Sequence, residues 1–339
     1  MKKKATIKDV AKMANVSTAT VSRVLNNNYP VSEEVMEKVL SAMNELEYKP
    51  SSIARSLRIN KSNLVAIVVA DIRNPYYASI AREIDNILFH EGYNLILCST
   101  DESPDKERKV LDLLIKKNVD AVAISPCVKD TTNITELLQE DIYTILIDRK
   151  IPSLHLPFIG GNNFEDSYLL TEHLIKKGHR QIAIMVGSLD NSTGEERFNG
   201  YKKALENYQL PYIEELVLPG DFIEDKAFAS MDQFFSTQDS KEPIAIVSCN
   251  NLMTEGIMKA AKKHNKRIPE DLSLVSFGEI ESQELIVPKV TCIKQNVRSI
   301  GKHVAKMISD QLNGMENTNK EYIIKNDFIE GTSVQEMAT

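Results

Sequence analysis

The stretch TIKDVAKMANVSTATVSRVLN, residues 6–26, decides how this 339-residue chain is read. Ile7, Val10, Ala11 and Ala14 recur at the spacing of one helix face. Asn15-Val16-Ser17 is turn chemistry, with Ser17 placed to accept backbone N–H bonds as the N-cap of a second helix. On that helix Val21, Val24 and Leu25 share the apolar face. At about 100° per residue, Ala19, Ser22, Arg23 and Asn26 point the other way, with Thr18 beside them at the helix start. A short polar face tipped by one arginine suits base edges and phosphates in a DNA major groove. The plainer alternative is any small helical hairpin, which gives the same apolar spacing.

The neighbouring sequence favours the helix-turn-helix. Val31-Ser32-Glu33-Glu34 is a helix start, with Ser32 as N-cap, acids in the first turn and Val31 able to staple onto Met36. Val35, Met36, Val39, Leu40, Met43 and Leu46 then supply the buried face of a third helix, giving an all-α headpiece over 1–49. Residues 1–63 carry 11 Lys and Arg against 6 Asp and Glu, whereas the remainder carries 30 against 42. A basic module on an acidic body is what a phosphate-binding head requires.

Residues 50–62 follow as a hinge or linker, beginning Pro50-Ser51-Ser52-Ile53-Ala54-Arg55-Ser56-Leu57-Arg58. Ser51 can cap a helix here that is too short to be stable alone in water, so its folding can be coupled to binding. This segment resembles the hinge of the LacI/GalR family of bacterial repressors. The resemblance implies that Ala54 and Leu57 contact DNA, with Leu57 wedged into the minor groove and bending the duplex.

From Leu64 onward strand-like and helix-like segments alternate. Strands are expected at 64–70, 93–99, 121–125, 144–148, 181–186, 243–249 and 273–278. Helices are expected at 75–91, 105–118, 164–177, 195–208 and 253–264. This pattern predicts α/β architecture with parallel sheets covered on both faces. The strands exceed one six-stranded sheet, so two lobes are expected with a crossover near Gly160-Gly161-Asn162. Residues 63–339 then form a core whose N-lobe is 63–161 plus 292–324 and whose C-lobe is 162–290 plus 325–339.

The resemblance extends along the core through AsnProTyrTyr at 74–77, GlyHisArg at 178–180, ArgPheAsnGlyTyr at 197–201, the run from Ile268 to Gly278 and Thr291–Gln295. It implies a two-lobed, periplasmic-binding-protein-like core with an effector in the cleft. Strand carboxyl ends are where open α/β sheets bind ligands. Carried over position by position, the effector contacts are Tyr76 or Tyr77, Ser125, Asp148, Arg149, Arg197, Asn250, Glu279 and Gln295. Asp and Asn suit sugar hydroxyls, an aromatic ring covers an apolar ring face, and arginine forks onto a carboxylate or phosphate. Two departures from the family pattern stand out. Asn250-Asn251 replaces the usual Asn-Asp, and Ser276-Phe277-Gly278-Glu279 replaces Gly-Phe/Tyr-Asp-Asp. The lost acids, beside Arg149 and Arg197, point to an anionic effector such as a sugar acid. The whole-length resemblance implies 2-keto-3-deoxygluconate, from pectin breakdown.

Other classes fit less well. The chain has no GxxxxGK[ST] loop, HExxH, GxSxG elbow or GxGxxG after a strand, so neither an enzyme nor a cofactor is expected, and no metal site either. A hydrophobic content of 42% and a charged content of 26% are ordinary for soluble proteins, and no apolar run approaches a membrane span. The start lacks the apolar segment of a signal peptide, and Cys98, Cys127, Cys249 and Cys292 form no CxxC pair, so a cytoplasmic protein with reduced thiols is expected. A free-standing sugar-binding protein would not need the head. The combined reading is a homodimeric repressor of a carbohydrate catabolic operon. It binds a pseudo-palindromic duplex DNA operator through Thr6, Ser17, Thr18, Ala19, Ser22, Arg23 and Asn26, and a sugar or sugar-acid effector between the lobes releases it through the hinge; the alternative is a corepressor-dependent regulator of the same family.

Overall fold

The computed structural model describes residues 5–26, 31–48, 61–237, 244–315 and 321–337. Two compact units divide at Ser62/Asn63. In the first, α1 (Ile7–Met13), α2 (Thr18–Asn26) and α3 (Glu33–Glu45) enclose Val10, Ala11, Ala14, Val21, Val39 and Ala42, with Val24 and Leu25 against them. Asn15 takes the left-handed conformation that turns the chain (φ 53°). Leu40, expected in this core, is 47% exposed: Ala42, three residues beyond Val39, completes the inward stripe and leaves Leu40 to one side. Ser32 occupies the N-cap position of α3 without a side-chain capping bond.

The second unit contains two six-stranded sheets. The first is built from β1 (Leu64–Val69), β2 (Asn94–Ser99), β3 (Ala121–Ile124), β4 (Tyr143–Ile147), β5 (Phe158–Gly161) and β11 (Glu321–Ile324), in the parallel order β11-β5-β4-β3-β1-β2. Its strands are short runs of Val, Ile and Ala because both faces are covered. Helices α4 (Pro75–Leu88) and α11 (Val297–Leu312) cover one face through Ile80, Ile84, Ile300, Val304 and Ile308; α5 (Pro104–Lys116) and α6 (Thr132–Gln139) cover the other through Leu111, Leu114, Ile134 and Leu137.

The second sheet is built from β6 (Ile182–Val186), β7 (Val217–Pro219), β8 (Ile244–Ser248), β9 (Leu272–Phe277), β10 (Thr291–Lys294) and β12 (Asp327–Ile329). Its order is β12-β10-β9-β8-β6-β7, with only β12 antiparallel to its neighbour. It is flanked by α7 (Asn163–Lys176), α8 (Ser192–Asn207), α9 (Glu224–Thr237) and α10 (Asn251–Lys263). The expected return to the N-lobe at residue 292 needs correction. Thr291, Cys292 and Ile293 pair with Val275, Ser276 and Phe277 of β9, so the chain leaves this sheet only after Lys294.

Three crossovers therefore join the lobes, between β5 and α7, β10 and α11, and β11 and β12. Asn326 ties them together: its Nδ2 donates to Asp166 Oδ2 at 2.7 Å on α7, and its Oδ1 accepts from the Asn296 N–H at 3.2 Å. A β-carbon on Gly161 would lie 2.5 Å from the Asn326 amide nitrogen, so glycine is what the close approach permits. Asn326→Ala leaves the buried Asp166 carboxylate without this partner, at a cost of about 1–3 kcal/mol, and releases the exposed Asn296 N–H to water. Thermal melting is expected to fall by about 2–4 °C per kcal/mol lost. Amide exchange at Asn296 should rise with it; unchanged melting and exchange would show that the crossovers do not depend on this residue.

Candidate functional site: the recognition helix and the interlobe cleft

In the head, Ser17 Oγ accepts from the Thr20 N–H at 3.0 Å and meets the Thr20 hydroxyl at 2.9 Å, so it starts α2 as a cap. At the start of α1 the acid does the accepting: the Thr6 N–H and hydroxyl both donate to Asp9 Oδ2, at 2.8 and 2.7 Å. Thr18, Ala19 and Arg23 are exposed and Ser22 is half-buried, which leaves one polar face on α2. Asn26 closes that helix. Ala54 and Leu57 lie outside the described residues.

Between the lobes, a narrow cleft is lined by Tyr76, Tyr77, Asp148 and Arg149 from one side. Thr193, Arg197, Phe222 and Asn250 line it from the other, with Gln295 at a crossover. The Asp148 carboxylate accepts from Tyr76 Oη at 3.1 Å and Tyr77 Oη at 3.0 Å. Its backbone is left-handed (φ 63°), a conformation costly for a non-glycine residue and held here by these bonds. Burial, followed by the charge of Asp148, pushes both phenols well above the usual tyrosine range, so they act as donors. Arg149 forks onto Glu102 at 2.7 and 2.6 Å. Burial works against its charge, but Tyr77 and Glu102 outweigh it and raise the pKa. Arg149 Nε is a buried donor with no partner among the described residues.

Arg197 has different support. Its Nε donates to Asn163 Oδ1 at 2.9 Å, one Nη donates to the Cys249 carbonyl, and its guanidinium lies 3.6 Å from the centre of the Phe277 ring. Among the described residues it forms no ion pair with a carboxylate. The Phe222 ring lies between the two arginines, 5.2 Å from Arg149 and 5.7 Å from Arg197. It also covers Gly187, where a β-carbon would come within 2.0 Å of the ring. Across the cleft Asn251 Nδ2 donates to Asn74 Oδ1 at 3.1 Å, while Lys129 pairs with Glu195 at 2.9 Å, so the lobes are closed on each other.

Seven of the expected cleft residues thus converge, and two do not. Ser125 is fully buried behind Tyr77, its hydroxyl 3.0 Å from the phenol, and does not reach the cleft wall. Glu279 turns away to pair with Lys294 at 2.9 Å along an outer groove. The reason is Gly278, whose φ of +98° redirects the chain after β9; its missing side chain faces Asn251 and Gln295. Asn250 lines the cleft while its Oδ1 caps α10 at Met253 N, 2.7 Å, and its Nδ2 donates to the Phe222 carbonyl. Phe222, Thr193 and Glu102 were not anticipated. A Gly-Asp-Phe loop such as 220–222 carries no periodic signal, and Glu102 lines the cleft from the turn after β2 while pairing with Arg149.

A helix-turn-helix head followed by a closed two-lobed α/β core with a polar cleft defines a ligand-responsive DNA-binding regulator. Residues 6–51 match the family described as bacterial regulatory proteins, lacI family, and residues 171–334 match the periplasmic binding protein-like domain. The HTH-type transcriptional repressor PurR of Haemophilus influenzae (strain PittEE) is 32% identical over 320 residues, spanning 94% of each chain. A solved complex of the transcriptional regulator CelR with cellobiose is 26% identical, covers 97% of this chain and 99% of that one, and superposes with a TM-score of 0.72. The lac repressor dimer bound to operator and the anti-inducer ONPF shares the fold at 24% identity and TM-score 0.80, covering 98% and 100%. The chain belongs to the lacI family of bacterial regulatory proteins; it is a DNA-binding transcriptional repressor with a ligand-binding domain, not an enzyme.

Glu102 is nearly buried beneath Arg149 (side chains 13% and 3% exposed), so Glu102→Ala strands a cation. Breaking such a pair costs about 3–5 kcal/mol. A large fall in the melting temperature is expected, and Glu102→Gln, which keeps one acceptor but neither the charge nor the second oxygen, should recover only a small part of it; equal melting of Glu102→Ala and wild type would contradict the pairing.

Proposed function

We propose that this protein represses a carbohydrate catabolic operon and leaves its operator when a sugar acid, of which 2-keto-3-deoxygluconate is the leading candidate, occupies the cleft. The observation that carries this is Arg197, a cleft cation with no carboxylate partner among the described residues, in a cleft whose lining carboxylates are already engaged: Asp71 by Arg73, Glu102 by Arg149 and Asp148 by two tyrosine hydroxyls. A ligand carboxylate at Arg197 completes its charge balance. Sugar hydroxyls meet Asp148, Asn250 and Gln295, while the Phe222 ring covers an apolar ring face. The similar regulator CelR is solved as a complex with cellobiose, which supports a carbohydrate as the class of effector.

In this reading a homodimer places two heads over 1–49 in successive major grooves of a pseudo-palindromic operator. Thr18, Ala19, Ser22 and Arg23 face the bases, Thr6, Ser17 and Asn26 lie near phosphates, and Ala54 and Leu57 of the 50–62 hinge enter the minor groove. Effector binding changes the relation of the lobes and uncouples the paired hinges. That requires different effector affinities in the two states, typically worth about 1–3 kcal/mol.

A thermal-shift screen of hexuronates, 2-keto-3-deoxygluconate, neutral hexoses and purine bases tests the ligand class. A ligand at a hundred times its Kd stabilises by about 2.7 kcal/mol. The sugar acid should stabilise wild type, and Arg197→Ala should weaken it about 30-fold, the equivalent of about 2 kcal/mol. Stabilisation by neutral hexoses or purines alone would overturn the anionic reading.

A further inference from the structure

Asn163 is the first residue of α7, immediately beyond the crossover from the first lobe, and only 3% of it is exposed. Both ends of its amide are engaged. Nδ2 donates to Glu196 Oε2 at 3.2 Å, and Oδ1 accepts from Arg197 Nε at 2.9 Å. The arrangement works in only one sense. Turned over, the amide would set donor against donor at Arg197 and oxygen against the Glu196 carboxylate. Glu196 and Arg197 are neighbours on α8, so one turn of helix carries both the anchor and the residue being held. With Nε fixed by Asn163, an Nη fixed by the Cys249 carbonyl and the guanidinium plane against Phe277, the remaining donors of Arg197 are oriented toward the cleft.

We propose that Asn163 is a positioning residue for ligand recognition: held by Glu196, it fixes the Arg197 guanidinium in the orientation that meets an anion in the cleft. The inference rests on the anionic reading of the cleft given above. The charged groups facing this relay are Asp148 and Lys150 beyond β4, Asp166 on α7, and Glu196 and Arg197 on α8. Burial raises the Glu196 carboxyl and the Asn163 donor pulls it back down. Asn163→Asp exchanges that donor for a second carboxylate. The two acids then share a proton, and while both are ionised the new one competes with a ligand anion for Arg197.

Isothermal titration of the full chain with 2-keto-3-deoxygluconate and galacturonate, from pH 5 to 8, separates the possibilities. Misplacing the cation should cost Asn163→Asp at least about tenfold in affinity at pH 7.5. The loss should shrink toward pH 5 as the acid pair takes up a proton, a trend that a merely structural defect would not give. Glu196→Ala should weaken binding and Glu196→Gln, which keeps an acceptor for Nδ2, should restore it; this pair serves if Asn163→Asp fails to fold. Full affinity in Asn163→Asp or Glu196→Ala, with Arg197→Ala inactive, would overturn the positioning role alone. If neither acid binds wild type, the anionic reading and the positioning role fall together.

Discussion

A guanidinium removed from water must find partners for its donors and its charge, and the cleft is organised around two of them. Arg149 is answered within the protein by the Glu102 carboxylate. Arg197 receives an amide oxygen, a carbonyl and an aromatic face, which satisfy hydrogen bonding while leaving its charge without an ion-pair partner among the described residues. On the proposed reading, that asymmetry gives the cleft a preference for an anion. The same low dielectric that makes an unbalanced charge costly strengthens its attraction for an anion.

The surrounding architecture keeps this charge near the junction of the lobes. Arg197 is held by Asn163, the residue that follows the first crossover, and Asp166 on the same helix is held by Asn326 at the third. Asn326 in turn accepts from Asn296 at the second. The cleft cation and the three connections between lobes are therefore linked through α7 and a few polar contacts, buried at Asn163, Asp166 and Asn326. Such contacts have few alternative arrangements, which favours discrete lobe positions over gradual bending. Asp148 and Phe222, both left-handed, hold strained backbone at the same place.

Much of the fold was legible because its signals are local. The head followed from the spacing of Val10, Ala14, Val21 and Val24 and from Ser17, which caps as its position suggested. The long strands and helices followed from apolar runs and amphipathic faces. Short elements escaped. β5 ends in two glycines and β7 in proline, while β10, β11 and β12 are defined by partners distant in sequence. Register explains the site errors as well. Glu279 follows Gly278, whose left-handed backbone redirects the chain, and Ser125 is screened by a tyrosine that sequence could not place in front of it. Family pattern located the cleft residues, but only geometry distinguished an arginine already paired from one that is not.

On the proposed function, cleft occupancy controls the grip of the head on DNA. Fluorescence anisotropy on an operator selected from random duplexes measures this directly, at fixed salt because phosphate contacts make affinity salt-dependent. Added 2-keto-3-deoxygluconate should weaken operator binding by wild type, while Arg197→Ala stays bound at the same concentration. Operator affinity unchanged by the sugar acid, or equally changed in both proteins, would contradict the account.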